Sequence, residues 1–406
     1  MYRYLPFPPL LVRSIIALVA LGAIAAMSGV AYLEISRNQT VVLSDPTGPY
    51  QVGRTAYDWV DDAREDPLAP TGGTKRELLV WVWYPAAPGT QGTGRAQYLP
   101  ADWRVALEQD RGLVGTQLFQ NLAAVRVHAV AGAAVSDAQH QFPVLVFIPG
   151  YGNVVPYYTT LAEDLASHGY VVVGINPTYT TTIVFPDGRV TRRSPAGTIP
   201  ETSGSAAINA TGDRLVGVWA ADARFVLDRL TQLNAEAGGP FVGRLDLSRI
   251  GLFGHSLGGA AALEACRLDS RCKAAVDMDG TLHGDVAHLG LGQPAMFLLS
   301  GGTESSNVAE QAGSMPEPPS GGHQARDILR IEGARHFNFS DYSVMFAPVL
   351  KPIGMLGSID GRRGLEIVGA YVRQFFDHHM SNQPAPLLTG PSSSYPEVMG
   401  TFETGG

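Results

Sequence analysis

The sequence predicts an α/β fold, with a mostly parallel central sheet, helices on both faces and a cap-like insertion. Three observations predict it. Short apolar runs that suit strands buried on both faces alternate with segments of helical spacing. Residues 142–175 read as strand, glycine loop, helix and strand, a crossover unit. The apolar run Ile250 to Phe253 passes through Gly254-His255-Ser256-Leu257-Gly258 into the small-residue run Gly259 to Ala265. That last pattern is a strand, a tight turn and a helix packed closely on a sheet.

Residues 51–60 and 78–84 read as the first two strands, the second ending at Pro85. Residues 86–141 interrupt the pattern and are expected to form the cap. Val114, Leu118, Leu122 and Val125 stand there at near-helical spacing. The run 142–148 is a central strand ending in Pro149-Gly150-Tyr151-Gly152-Asn153. A helix over 156–167, with Pro156 in its first turn, leads to the strand 170–175. Residues 177–210 read as loops, with a hairpin around Pro186-Asp187-Gly188. A helix over 213–234 buries Leu215, Trp219, Val226 and Leu230 and stops at Gly238-Gly239-Pro240. Strands are expected at 273–278, 294–300 and 327–331, with a surface loop over 301–325. A helix over 359–380 closes a single unit spanning 34–380. Residues 381–406, rich in Pro, Ser and Gly, read as a flexible tail.

The 406 residues suffice for one large α/β unit with insertions. A net charge of −8 without a basic stripe excludes nucleic acid as a partner. Arg3 and Arg13 precede residues 14–33, which carry no charge. Residues 1–33 therefore read as a signal peptide, with Ala23-Ile24-Ala25 as cleavage site, or as an N-terminal membrane anchor. The leading arginines place the rest of the chain outside the cytoplasm, so an exported protein is expected: periplasmic, secreted, or anchored facing outward. Membrane contact would run through this segment. Cys266 and Cys272, the only cysteines, flank a short turn. They either pair in an oxidising compartment or stay free thiols. With no histidine beside them, a metal role is not expected.

Gly-x-Ser-x-Gly between strand and helix points to nucleophilic catalysis by Ser256. The serine needs a sharp turn to project above the sheet edge, and its neighbours two residues away must be small enough to allow it. In this architecture the oxyanion-stabilising N–H groups come from the residue after the nucleophile and from the first glycine loop. Those are Leu257 and Tyr151. Among ten histidines, His336 follows the last expected strand, where a general base would return to the turn. His255 lies inside the turn and is expected to shape it. Two acids follow strand ends in the required order: Asp279 and Glu304. Asp277 is still within its strand and reads as structural.

Gly254-His255-Ser256-Leu257-Gly258-Gly259-Ala260, the Asp279-Gly280 pair and Arg335-His336-Phe337-Asn338-Phe339-Ser340-Asp341 together resemble the platelet-activating-factor acetylhydrolase family. Trp83-Tyr84-Pro85 and Leu165-Ala166-Ser167-His168-Gly169-Tyr170 add to the resemblance, which covers most of residues 45–380. The family is a branch of the α/β-hydrolases that cleaves short or oxidised acyl esters from phospholipids without calcium. The resemblance implies the α/β-hydrolase fold, Ser256 as nucleophile, Asp279 as acid, His336 as base and the Tyr151 N–H in the oxyanion hole. Two departures bear on substrate choice. The loop begins Pro149-Gly150 where the family commonly has His-Gly, and 86–141 and 177–210 have no evident counterpart. Secreted polyester and cutinase-like esterases resemble the same core and place their acid where Glu304 falls.

The expected activity is hydrolysis of a small-molecule or lipid ester through a Ser-His-Asp triad, with no metal or organic cofactor. Acyl transfer to an alcohol would use the same residues. A membrane-tethered binding protein on an inactive hydrolase fold is the alternative of another class. An intact Ser256, His336 and two available acids argue against it. Acyl length, head group and oligomeric state are open at this level.

Overall fold

The computed structural model describes residues 9–90, 92–200, 204–302, 304–317 and 325–403. The strands are β1 (Val41–Val42), β2 (Gln51–Glu65), β3 (Lys75–Ala86), β4 (Arg95–Gln97), β5 (Val125–Ala131), β6 (Phe142–Ile148) and β7 (Val171–Asn176). They continue as β8 (Ile183–Val184), β9 (Val190–Thr191), β10 (Leu245–His255), β11 (Cys272–Met278), β12 (Ala295–Ser300), β13 (Arg326–Ile331) and β14 (Val398–Thr401). The helices are α1 (Pro9–Asn38), α2 (Ala101–Leu118), α3 (Thr159–Ser167), α4 (Ser205–Ala235), α5 (Leu257–Leu268), α6 (Val286–Leu289), α7 (Glu304–Ser314), α8 (Tyr342–Met345), α9 (Ala347–Leu350) and α10 (Gly361–Ser381).

One sheet organises the chain, in the order β1-β5-β2-β3-β7-β6-β10-β11-β12-β13-β14, with β4 beside β5. From β7 through β13 every pairing is parallel. The continuous apolar runs follow from burial on both faces. In β6, Leu145 and Phe147 join the core under α3 and α10, while Val144, Val146 and Ile148 join the core under α4 and α5. In β3, Leu79, Trp81 and Trp83 alternate with Leu78, Val80, Val82 and Tyr84 in the same way. Burying one such side chain contributes about 1.5–3 kcal/mol. Buried Arg76 ties β3 to α4 through Asp222 (2.5 Å), and its other edge meets Asp66 (2.8 Å).

Four expectations are corrected. The stripe Val114 to Val125 is not one helix. Gly112 breaks α2 with φ 68°, and Asn121 caps a short 3-10 turn before β5. From Val125 the apolar period is two: Val125, Val127 and Ala129 are buried in a strand. Segment 86–141 is therefore only partly a cap, since β4 and β5 belong to the sheet. The stretch expected as a surface loop contains α7, whose Val308 and Ala312, with Met315 just after the helix, are buried in the core beside the sheet. The tail, expected to be loose, is packed against the domain over its described length. Leu387 and Leu388 are buried, and β14 pairs antiparallel with β13, covering an edge that would otherwise stay open.

Cys266 and Cys272 form a disulfide between α5 and β11. The helix α1 is apolar, and its span Arg13–Asn38 is long enough to cross a membrane.

Candidate active site

Ser256 stands between β10 and α5 with φ 56° and ψ −131°, backbone angles that an L-residue holds only when its surroundings impose them. The surroundings are short of room. A methyl on Gly254 would come within 2.1 Å of Gly258 O, and one on Gly258 within 2.2 Å of Ile148 O. Only glycine fits at either position, which is why the motif has its spacing. The Ser256 N–H donates to Met278 O at 2.8 Å, fixing the turn against β11.

The loop after β6 meets this turn. A methyl on Gly150 would lie 3.2 Å from Ser256 Cβ. Tyr151 follows, and Leu257 is the first residue of α5. Both expected N–H donors thus belong to segments that touch at Ser256.

Asp279 follows β11 and is itself held at φ 54°. Its Oδ1 accepts the Ser300 N–H at 2.8 Å, and its Oδ2 lies 2.7 Å from His336 Nδ1. Burial would raise this carboxyl. The hydrogen bond and charge of His336 and the Ser300 N–H outweigh that, and the carboxyl lies below its ordinary value. The His336 side chain is 39% exposed. Glu304 begins α7, and its side chain lies outside the described ones. Asp277 is buried within β11 and accepts the Gly280 N–H at 2.9 Å. Burial pushes its carboxyl well up.

His255 does more than shape the turn. Its ring is fully buried, 4.5 Å from the His336 ring between centroids. Its Nε2 is 2.9 Å from the backbone oxygen of His336, which can only accept, so Nε2 carries the proton. Its Nδ1 therefore accepts from the Tyr158 hydroxyl at 2.8 Å. That hydroxyl oxygen in turn accepts the Gly150 N–H at 3.3 Å. Burial, then the neighbouring His336, lowers His255 to about 3, so the ring is neutral. A directional chain thus joins the glycine loop to the His336 loop. Tyr158 carries no motif signal, since the contact joins residues 97 apart.

The segment 181–199 folds over the glycine loop. The Tyr151 hydroxyl donates to Gly197 O (3.3 Å) and accepts from Ile199 N–H (3.0 Å), and Thr181 donates to Gly152 O (3.1 Å). Sequence reasoning placed loops here and did not single out Arg193, which lies over the Tyr151 ring at 4.9 Å.

A serine on a strained turn, with a carboxylate-held imidazole on a neighbouring loop, is an arrangement that can activate a hydroxyl. Among the described residues no cluster of three metal-ligating side chains occurs.

The family model of platelet-activating factor acetylhydrolase, isoform II, matches residues 35–180 and 239–385. The match includes the 86–141 segment and leaves out 181–238. A probable 1-alkyl-2-acetylglycerophosphocholine esterase of Arthroderma benhamiae is 27% identical over 392 residues, 88% of this chain and 93% of that protein. Platelet-activating factor acetylhydrolase of Cavia porcellus is 20% identical over 82% of this chain and 77% of its own length. Among solved structures, a ferulic acid esterase from Streptomyces cinnamoneus aligns with TM-score 0.73 and 31% identity, over 90% of this chain and 99% of that one.

Proposed function

Because the chain belongs to the platelet-activating factor acetylhydrolase, isoform II family, whose relatives are esterases, we propose that it hydrolyses carboxylic esters through Ser256, His336 and Asp279. The observation that carries this reading is the 2.7 Å contact from His336 Nδ1 to Asp279 Oδ2 at the base of the serine turn. It favours Asp279 over Glu304 as the acid.

His336 Nε2 takes the Ser256 proton as Oγ attacks the ester carbonyl. The Tyr151 and Leu257 N–H groups receive the oxyanion, each donor contributing about 3–4 kcal/mol by analogy with other oxyanion holes. Asp279 keeps the imidazole in the required tautomer and stabilises its charged form. The imidazolium returns the proton to the leaving alcohol. Water, deprotonated by His336, then attacks the acyl-enzyme and releases the acid and Ser256.

The substrate reading is a short-chain acyl ester or a phospholipid acyl group, as the names of the relatives suggest. The likeness to a ferulic acid esterase favours a second one, an aromatic acyl ester. We also place the domain outside the cytoplasm. The apolar α1 and the Cys266–Cys272 disulfide support export, since disulfides persist in oxidising compartments.

The test is hydrolysis of p-nitrophenyl esters of increasing length and of methyl ferulate. Ser256→Ala should abolish turnover, and Asp279→Asn should lower kcat by roughly 10⁴-fold. Glu304→Gln should stay near wild type. Full activity in folded Ser256→Ala would end the proposal, and collapse in Glu304→Gln would move the acid.

A further inference from the structure

The cover of the glycine loop comes from residues the family match leaves out, 181–238, and it brings two arginines. Arg192 and Arg193 directly follow β9. They are not equivalent. Arg192 pairs with Asp110, which also accepts the Thr182 hydroxyl, so that carboxylate is spent. Among the described residues Arg193 pairs with no carboxylate. It is held by other means. Its Nε donates to Thr180 O at 3.1 Å, and its guanidinium lies over the Tyr151 ring. A methyl on Gly152 would come within 2.9 Å of its Nη2, and Gly152 holds φ +75°. Arg193 Nη2 thus lies against the backbone of the glycine loop.

Both arginines line a cavity of about 500 Å³ with Leu107, Asp110, Tyr157 and Tyr342. The cavity is linked through neighbouring residues to two of the loops of the proposed site. Gly152, which also lines it, follows Tyr151. Tyr342 stacks on Phe337 at 5.6 Å, and Phe337 follows His336. Among the described residues its charged walls are two arginines and one aspartate, one positive charge more than negative. A guanidinium that lines a cavity and is held through its Nε is suited to binding an oxyanion group.

We propose that this cavity is a subsite for an anionic group, a carboxylate or a phosphate, carried by the ester substrate, and that Arg193 determines specificity for it. The proposal rests on the hydrolase reading of Ser256 and narrows its substrate class to esters charged near the scissile carbonyl. The anion can sit on the acyl side or on the alcohol side.

Two matched pairs distinguish these sources. On the acyl side, p-nitrophenyl hydrogen succinate is compared with p-nitrophenyl methyl succinate. On the alcohol side, acetylated glycerol phosphate is compared with acetylated glycerol. The readout is the ratio of kcat/KM, charged over neutral, in wild type, Arg193→Gln and Arg193→Glu. In at least one pair the ratio should fall about tenfold in Arg193→Gln, further in Arg193→Glu, mainly through KM of the charged ester. The wild-type ratio should also fall with added salt. The pair that responds identifies where the anion sits. A ratio unchanged by Arg193→Gln in both pairs overturns the proposal, including the case where both members slow equally because Arg193 only supports Tyr151. Wild-type turnover of the neutral esters keeps that outcome separate from failure of the hydrolase reading. If wild type turns over neither member and Ser256 resists a fluorophosphonate, both fall.

Discussion

At the scale of single residues, the candidate site depends on neutral groups with a defined direction of hydrogen bonding. His255 shows this best. It cannot serve as the base, because both ring nitrogens are committed to Tyr158 and to the His336 carbonyl. Its value lies in positioning. It links the glycine loop after β6 to the loop that carries His336. Tyr158→Phe removes the hydroxyl while leaving the ring, and with it the acceptor for the Gly150 N–H. We expect kcat to fall roughly tenfold with KM little changed, as for a lost transition-state interaction. His255→Phe should lose at least as much, and the double variant no more than the larger single loss. Additive losses measured across that cycle would dissolve the chain into two separate contacts.

At the scale of elements, the site is assembled from strand ends. Ser256, Asp279 and His336 follow β10, β11 and β13, and the glycine loop follows β6. Each side chain is therefore only as well placed as its strand. The C-terminal element bears on this directly. β14 pairs with β13 from Ile328 to Ile331, five residues before His336, and Arg363 of α10 pairs with Glu397 at 2.8 Å. Removing residues 382–406 would uncover the β13 edge and the sites filled by Leu387, Leu388 and Val398. Loss of such buried apolar side chains costs about 2–5 kcal/mol each where the gap stays open. The truncated protein should melt at markedly lower temperature and aggregate through the exposed edge, read by calorimetry and light scattering. An unchanged melting temperature would show that the tail adds nothing to the sheet.

At the scale of the whole molecule, buried acids give stability a dependence on pH. Asp341 is fully buried, accepting the Thr159 N–H at 3.0 Å and the Thr160 N–H at 3.3 Å. Burial, the largest influence, lifts its carboxyl to about 7. In the unfolded chain the group ionises near pH ~4. Between these values the unfolded chain has released a proton that the folded chain keeps. Its contribution to stability is thus fully present below pH ~4 and declines as pH rises to about 7. Asp341→Asn cannot titrate, so its stability should decline less over that window in urea melts. A decline as steep as wild type would mean that Asp341 is already ionised in the folded state. Asp279 acts in the opposite sense. Its carboxyl is held below the ordinary value, so its contribution persists above that value and is lost only as pH falls further.

The fold class and the elements around the site were legible because their signals are local. Uninterrupted apolar runs mark strands buried on both faces, and the spacing of Gly254, Ser256 and Gly258 follows from how little room the turn leaves. The expectations that needed correction concern segments whose state is chosen by distant partners. Residues 125–131 became a strand because an edge beside β2 was available, and the tail was ordered by β13. The choice between Asp279 and Glu304 could not be read from order along the chain, since both follow strand ends. What the sequence by itself determined was the strand–turn–helix carrying Ser256, the α/β class and the apolar N-terminal segment. What only the tertiary structure decided was which carboxylate meets His336, how Tyr158 and His255 join two loops, and that Arg193 rests on Tyr151. Each of those depends on contacts between residues far apart in the chain, and no local pattern encodes a distance across a sheet.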